Sequence, residues 1–262
     1  MTDVRDIGAV MLCFLFLVGA ATVFGVDANT APDWLVIEKG KQLFDSGDYG
    51  ESLFYFRQAR ERYPNVPEVE YWIGRVFEAE GEYSLAELQY KLALERADYF
   101  EIRDDVYEVH YRLADIYLIE KHLSSYVAHL ESILNRDVEA RRSAGDLRLD
   151  GRLLSRTLAQ KGLDKLFELY RLPDYGGLDA YYRLGVYELR TGLVENASEL
   201  LTLSAVITFT TVINHLLERD PEYRFTTFDD LLTGALKYRI VEDYFFDTDA
   251  FGQLYALALA DR

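Results

Sequence analysis

The sequence predicts an all-α protein, a solenoid of antiparallel helix pairs. Three observations predict it. Only 5 prolines occur in 262 residues, so long stretches are free of helix breakers. Aromatic residues make up 14%, 20 of them tyrosine, which suits packing between helices. A set of glycine, aromatic and alanine positions also returns at a fixed interval of 34 residues between Val36 and Phe100. The composition sets outer limits. Half the residues are hydrophobic, which excludes global disorder. A net charge of −17 repels phosphate backbones and excludes nucleic acid as a partner of the whole chain. Cys13 is the single cysteine, so neither an intramolecular disulfide nor a cysteine metal cluster can form.

The first element is apolar. Residues 7–26 carry no charge, and 20 helical residues at 1.5 Å each match a bilayer core of roughly 30 Å. Residues 1–28 read as a signal peptide or an N-terminal transmembrane anchor. Val26-Asp27-Ala28 offers a small-residue cleavage site, whereas the length of the run suits an anchor. Arg5 precedes the run and the next basic residue is Lys39, which keeps Arg5 inside and the bulk of the chain outside.

The repeats follow. Gly40, Gly47-Asp48-Tyr49, Phe56 and Ala59 recur as Gly74, Gly81-Glu82-Tyr83, Tyr90 and Ala93. On these residues the chain resembles the tetratricopeptide repeat family. That pattern has a small residue at position 8, Gly at 15, an aromatic at 17, Ala at 20, an aromatic at 24 and Ala at 27. Residues 67–100 fit it nearly throughout, and residues 33–66 fit with Ser52 in place of the alanine. A small residue at position 8 lets the two helices of a hairpin touch. Glycine at position 15 suits the left-handed turn that ends the first helix.

Weaker copies extend the array. Residues 107–140 hold Leu113, Ala114, Tyr117, Leu130 and Ile133, with Lys121 where the glycine belongs. Residues 178–204 and onward hold Leu184, Gly185, Gly192, Ala197 and Leu201. Tyr111 and Tyr182 are 71 residues apart, two periods and three residues, so a degenerate unit is expected at 148–177 around Leu154, Leu158 and Gly162. Residues 33–204 thus form the repeat region. Residues 205–262 extend the last repeat and add a capping helix pair, which closes the exposed core of a solenoid. Residues 200–217 are uncharged and read either as a second span or, given their threonines, Asn214 and His215, as a long buried helix; the buried helix is favoured. Thr227 or Thr226 caps a further helix, and Asp247 or Thr248 starts a last one.

No pattern for catalysis stands out. His110, His122, His129 and His215 lack metal-ligand spacing, and no nucleophile elbow, phosphate loop or dinucleotide fingerprint occurs. The sequence therefore predicts no enzyme, no cofactor and no metal. Asn196-Ala197-Ser198 is a glycosylation sequon that helix capping explains equally well.

The resemblance implies a concave groove lined by the first helix of each unit. Carried onto this chain, the groove residues are Ile37, Lys41, Phe44, Tyr71, Arg75, Glu78, Tyr111, Asp115 and Tyr182. The lysine–asparagine clamp of cochaperone members is missing, because its positions hold Ile37, Lys41, Tyr71 and Arg75. A second candidate is basic. Residues 136–165 carry a net +3, and Arg148, Arg152 and Arg156 recur every four residues along one helix stripe, suited to an acidic partner or to a solvated face. Tyr63-Pro64-Asn65 and Tyr71-Trp72-Ile73-Gly74 look like bacterial envelope members of the family. The expectation is an extracytoplasmic adaptor or assembly scaffold in the bacterial periplasm, anchored in the cytoplasmic membrane or secreted across it. Its partners would be other envelope proteins, bound as a peptide or helix. The alternative is a receptor or transporter-associated protein that holds a small ligand in a tyrosine-lined groove.

Overall fold

A computed structural model describes residues 31–146 and 150–240. The apolar segment at 7–26, Arg148 and the expected last helix after 247 lie outside the described residues. Among the described residues every regular element is helical. They divide into two units, at residue 103.

The first unit is two hairpins. Helix α1 (Asp33–Asp45) pairs with α2 (Tyr49–Arg62), and α3 (Pro67–Ala79) pairs with α4 (Tyr83–Leu94). A 3-10 turn, Ala97–Tyr99, follows. Pro67 opens α3 at its first turn, where a missing N–H costs nothing. The second unit contains α5 (Asp105–Ile119), α6 (Leu123–Ser143), α7 (Gly151–Leu169), α8 (Leu178–Thr191), α9 (Val194–Arg219) and α10 (Phe228–Lys237). Helix α7 breaks at Gly162, whose φ of 77° is closed to most side chains, so a longer and a shorter helix lie end to end there.

One turn is used again and again. After α1, the Gly47 N–H reaches the Phe44 carbonyl at 2.9 Å and the Asp48 N–H reaches Leu43 at 2.9 Å. The same pair of bonds closes α3 at Gly81, α5 at Lys121, α6 at Gly145 and α8 at Gly192. This is the Schellman arrangement, and it places its central residue at positive φ. Glycine fills four of the five places. Lys121 occupies the fifth at φ 62°, a conformation that costs an L-residue about 1–2 kcal/mol.

Contact inside each hairpin rests on position 8. A Cβ on Gly40 would lie 2.6 Å from the Phe56 ring, and one on Gly74 would lie 2.6 Å from the Tyr90 ring. Gly185 meets Leu201 in the same way, at 2.8 Å. Each pair joins position 8 of the first helix to position 24 of the second. In the first hairpin the buried Ser52 hydroxyl also donates to the Gly40 carbonyl at 2.9 Å. The hydroxyl that replaces the expected alanine thus finds an acceptor across the hairpin, which burial requires.

The second unit is organised around α9. It is long and apolar enough to cross a membrane, yet 67% of its most apolar window is buried within the protein. Its threonines are accommodated by bonding back one turn: Thr202 to the Ser198 carbonyl at 2.7 Å, Thr208 to Ser204 at 2.9 Å and Thr210 to Val206 at 3.0 Å. Thr210 also accepts the Leu172 N–H at 2.8 Å and so anchors the segment after α7. Leu154, Leu166, Leu172, Val206, Phe209 and Leu231 share its core. At α10, Thr227 and Asp230 form a reciprocal capping box.

A buried ionic node ties α6 to α8. Arg141 and Asp137 are both fully buried and form a two-point pair, Nε to Oδ2 at 2.7 Å and Nη2 to Oδ1 at 3.2 Å. The Tyr181 hydroxyl donates to the same carboxylate at 2.9 Å. Gly177 passes so close that a Cβ there would lie 2.6 Å from the Asp137 carboxyl carbon. Nearby, His110 of α5 and His129 of α6 share a hydrogen bond, Nδ1 to Nδ1 at 2.9 Å, with Tyr117 stacked on His129. Burial first, then the neighbouring His129 and Arg136, push His110 down to about 4.

Three outcomes follow for stability. Gly74→Leu will drive a side chain into Tyr90 and cost about 1–3 kcal/mol or more, seen as a lower Tm. Lys121→Gly will relieve the positive-φ strain and gain up to about 1 kcal/mol in urea unfolding. The His110 pKa lies below its unfolded value of 6.5, so its stabilisation is complete above 6.5 and disappears as pH falls toward 4. Between pH 7 and 5, where most carboxylates stay ionised, unfolding free energy will fall in the parent and fall less steeply in His110→Gln.

Candidate functional site

The first unit contains a cleft of about 520 Å³ between α1, the start of α3 and the turn after α4. Trp34, Ile37, Glu38 and Lys41 line it from α1, Glu68 from α3, and Tyr99 and Glu101 from the far side. Helical spacing brings Trp34, Ile37, Glu38 and Lys41 onto one face of α1. The Glu101 N–H donates to Glu68 at 2.7 Å, which pins the segment after α4 against the start of α3. Trp34 is 65% exposed and Tyr99 is 72% exposed, an unusual display of aromatic surface around a cleft. Three carboxylates and one ammonium surround them, so the cleft is net acidic.

Next to Lys41 lies a cluster of rings and cations. The Lys41 ammonium sits 5.3 Å from the Trp72 ring centre. The Arg75 guanidinium stands 5.3 Å from Phe44, 5.7 Å from Trp72 and 5.9 Å from Tyr71. Arg75 also donates to the Tyr71 hydroxyl at 3.0 Å and lies 3.9 Å from Glu78. Glu78 in turn accepts a hydrogen bond from Tyr90. Burial first, and then the Glu78 charge, push the Tyr90 phenol far up, so it remains a donor. The cations are thus already held by rings and a carboxylate. They act as a stiff wall more than as bare charges for an acidic ligand.

Residues 37–100 match the model of the tetratricopeptide repeat family. These two hairpins are tetratricopeptide repeats. In repeat numbering the helices line the cleft with positions 2, 5, 6 and 9 of the first copy and position 2 of the second. Among similar proteins, an uncharacterized protein of Borreliella burgdorferi is 22% identical over 275 residues, covering 95% of this chain and 84% of its own length. An uncharacterized protein of Treponema pallidum is 27% identical over 173 residues, covering 64% of this chain and 46% of its own, so the chain spans about half of that relative. The solved structure of Pseudomonas aeruginosa pilF is similar with a TM-score of 0.34 and 14% identity, covering 86% of this chain and 96% of its own, too loose a likeness to argue from.

The predicted groove residues separate between the two units. Ile37, Lys41, Phe44, Tyr71, Arg75 and Glu78 come together in the tetratricopeptide hairpins. Tyr111, Asp115 and Tyr182 belong to the second unit. There Tyr111 donates to the Gly176 carbonyl at 2.7 Å and accepts the Ala180 N–H at 3.2 Å. Its hydroxyl holds the start of α8, and burial, then Asp179 and Asp174, raise its pKa well above the ordinary value. Asp115 is paired with Arg183, which also binds Asp179 at 2.5 Å. Tyr182 is half-buried.

The basic stripe is also partly spent. Arg152 bonds Glu199 at 3.0 Å, and Arg156 is exposed. Of the histidines, His122 lies 3.5 Å from Glu120 and His215 lies 3.1 Å from Glu218. Among the described residues no three His, Cys, Asp or Glu side chains gather as a metal would require. The sequence pattern missed Trp34, Glu38 and Glu68, although Trp34 and Glu68 both stand at position 2 of their repeats, which faces the groove. It had no means of finding Tyr99 and Glu101, which only the chain path after α4 brings to the cleft.

Proposed function

We propose that the chain is a protein–protein interaction adaptor that seats an extended partner segment in the cleft of its first tetratricopeptide unit. Tetratricopeptide repeats are interaction modules, and the first unit has the parts that such a module needs. The carrying observation is the exposed pair Trp34 and Tyr99 beside Glu38, Glu68 and Glu101. Aromatic faces and carboxylates together favour a cation, so the preferred segment carries a lysine or arginine next to an apolar residue. Long-range attraction agrees, because a chain of −17 draws basic partners toward it. A small-ligand receptor is less favoured: the charged side chains around the cleft suit a peptide better than an apolar molecule. The uncharged residues 7–26, preceded by Arg5, support an extracytoplasmic placement with other envelope proteins as partners.

The tryptophans of the chain are Trp34 and Trp72, so intrinsic fluorescence reports directly on the site. A short peptide with arginine between leucines will shift the emission saturably, and the same peptide with glutamate in place of arginine will bind at least about tenfold more weakly. Capture of the arginine peptide by the Tyr99→Ala, Glu38→Gln variant will fall by a similar factor while the helical circular dichroism stays constant. Equal binding of the two peptides, or undiminished capture by that variant, would overturn the reading.

A further inference from the structure

The second unit has its own cleft, of about 470 Å³, between the shorter part of α7 and the start of α10. Its floor is apolar: Phe167 and Leu231 belong to the core around α9, and Phe225 packs against that core. Its rim carries Lys161, Lys165 and Arg171. Two carboxylates, Asp164 and Glu168, also border it, so three cations against two anions leave the rim at a net +1. Asp164 accepts the first N–H of α10, from Phe228, at 2.7 Å. Glu168 pairs with Lys165 at 2.5 Å, but the two side chains are 65% and 40% exposed, and an ion pair in water is weak enough to exchange partners. Burial lowers the pKa of Arg171, the cost of a guanidinium drawn away from water. The Arg171 Nη1 donates to the Tyr170 carbonyl at 2.8 Å, which fixes the head group at the rim.

We propose that this cleft binds a small carboxylate amphiphile, its head at Lys161, Lys165 and Arg171 and its short apolar tail over Phe225, Phe167 and Leu231. The size is that of a small-ligand site, and an apolar floor with a few convergent charges is the usual composition of one. The cations come from the end of the basic stretch and the loop beyond it, not from the stripe of Arg148, Arg152 and Arg156. The site is independent of the peptide cleft in the first unit, since the two share no residue.

Octanoate, 1-octanol and acetate, titrated into the full chain in a calorimeter at low salt, separate head from tail. Octanoate will bind saturably at one site, at least about tenfold tighter than either the tail alone or the head alone. Lys161→Gln and Arg171→Gln will each weaken octanoate several-fold without moving the binding of the arginine peptide to the first unit. Lys161 is exposed, so its variant tests the site even where the loss of Arg171 lowers the melting temperature. Octanol binding as tightly as octanoate, or octanoate binding undiminished by Lys161→Gln, would overturn the proposal.

Discussion

In each hairpin that follows the 34-residue pattern, a residue with little or no side chain on the first helix faces a large one on the second. Gly40 lies against Phe56, Gly74 against Tyr90 and Gly185 against Leu201. The missing Cβ lets the two axes approach until the large side chain covers backbone, and that approach sets the geometry of everything built on the pair. Alanine and leucine stand at the same positions in the hairpin of α5 and α6, where Ala114 and Leu130 are both buried. The groove-facing positions follow from this contact, because rotating either helix to relieve it would turn them away from the cleft.

The turns supply the second constraint. A hairpin needs its first helix to stop abruptly and its second to start at once. Two backbone bonds and one residue at positive φ achieve this in three residues. Asp48 adds a side-chain cap at the start of α2, and Thr227 with Asp230 does the same at α10. Where glycine is replaced by Lys121, the turn keeps the same bonds at a strained φ. Tertiary packing of α5 and α6 therefore outweighs a local preference worth about 1–2 kcal/mol.

Charge has different roles in the two units. In the first, Lys41 and Arg75 rest over rings and Glu78, leaving the neighbouring cleft to Glu38, Glu68 and Glu101. In the second, Arg141 lies wholly inside the protein with Asp137 and Tyr181, so part of the apparent basic surface is core. A pair like this adds little net stability compared with apolar packing, but removing one partner would strand a buried charge. Through Tyr181 the carboxylate also joins α6 to α8, and Gly177 has no side chain to obstruct the approach.

The residues by themselves determined the helical class, the hairpin register of the first four helices and the glycine turns, because those depend on spacing within one or two helices. They also placed Ile37, Lys41, Phe44, Tyr71, Arg75 and Glu78 on related faces, since a helix converts sequence interval into direction. Only the tertiary structure decided that the Tyr111 hydroxyl would be consumed by Gly176 and Ala180, that Asp115 would find Arg183, and that Tyr99 and Glu101 would complete a cleft with Trp34. Each of these contacts joins positions far apart in the chain, and their partners are chosen by how loops return across the helices. That path is an outcome of packing the whole unit, and no local periodicity encodes it.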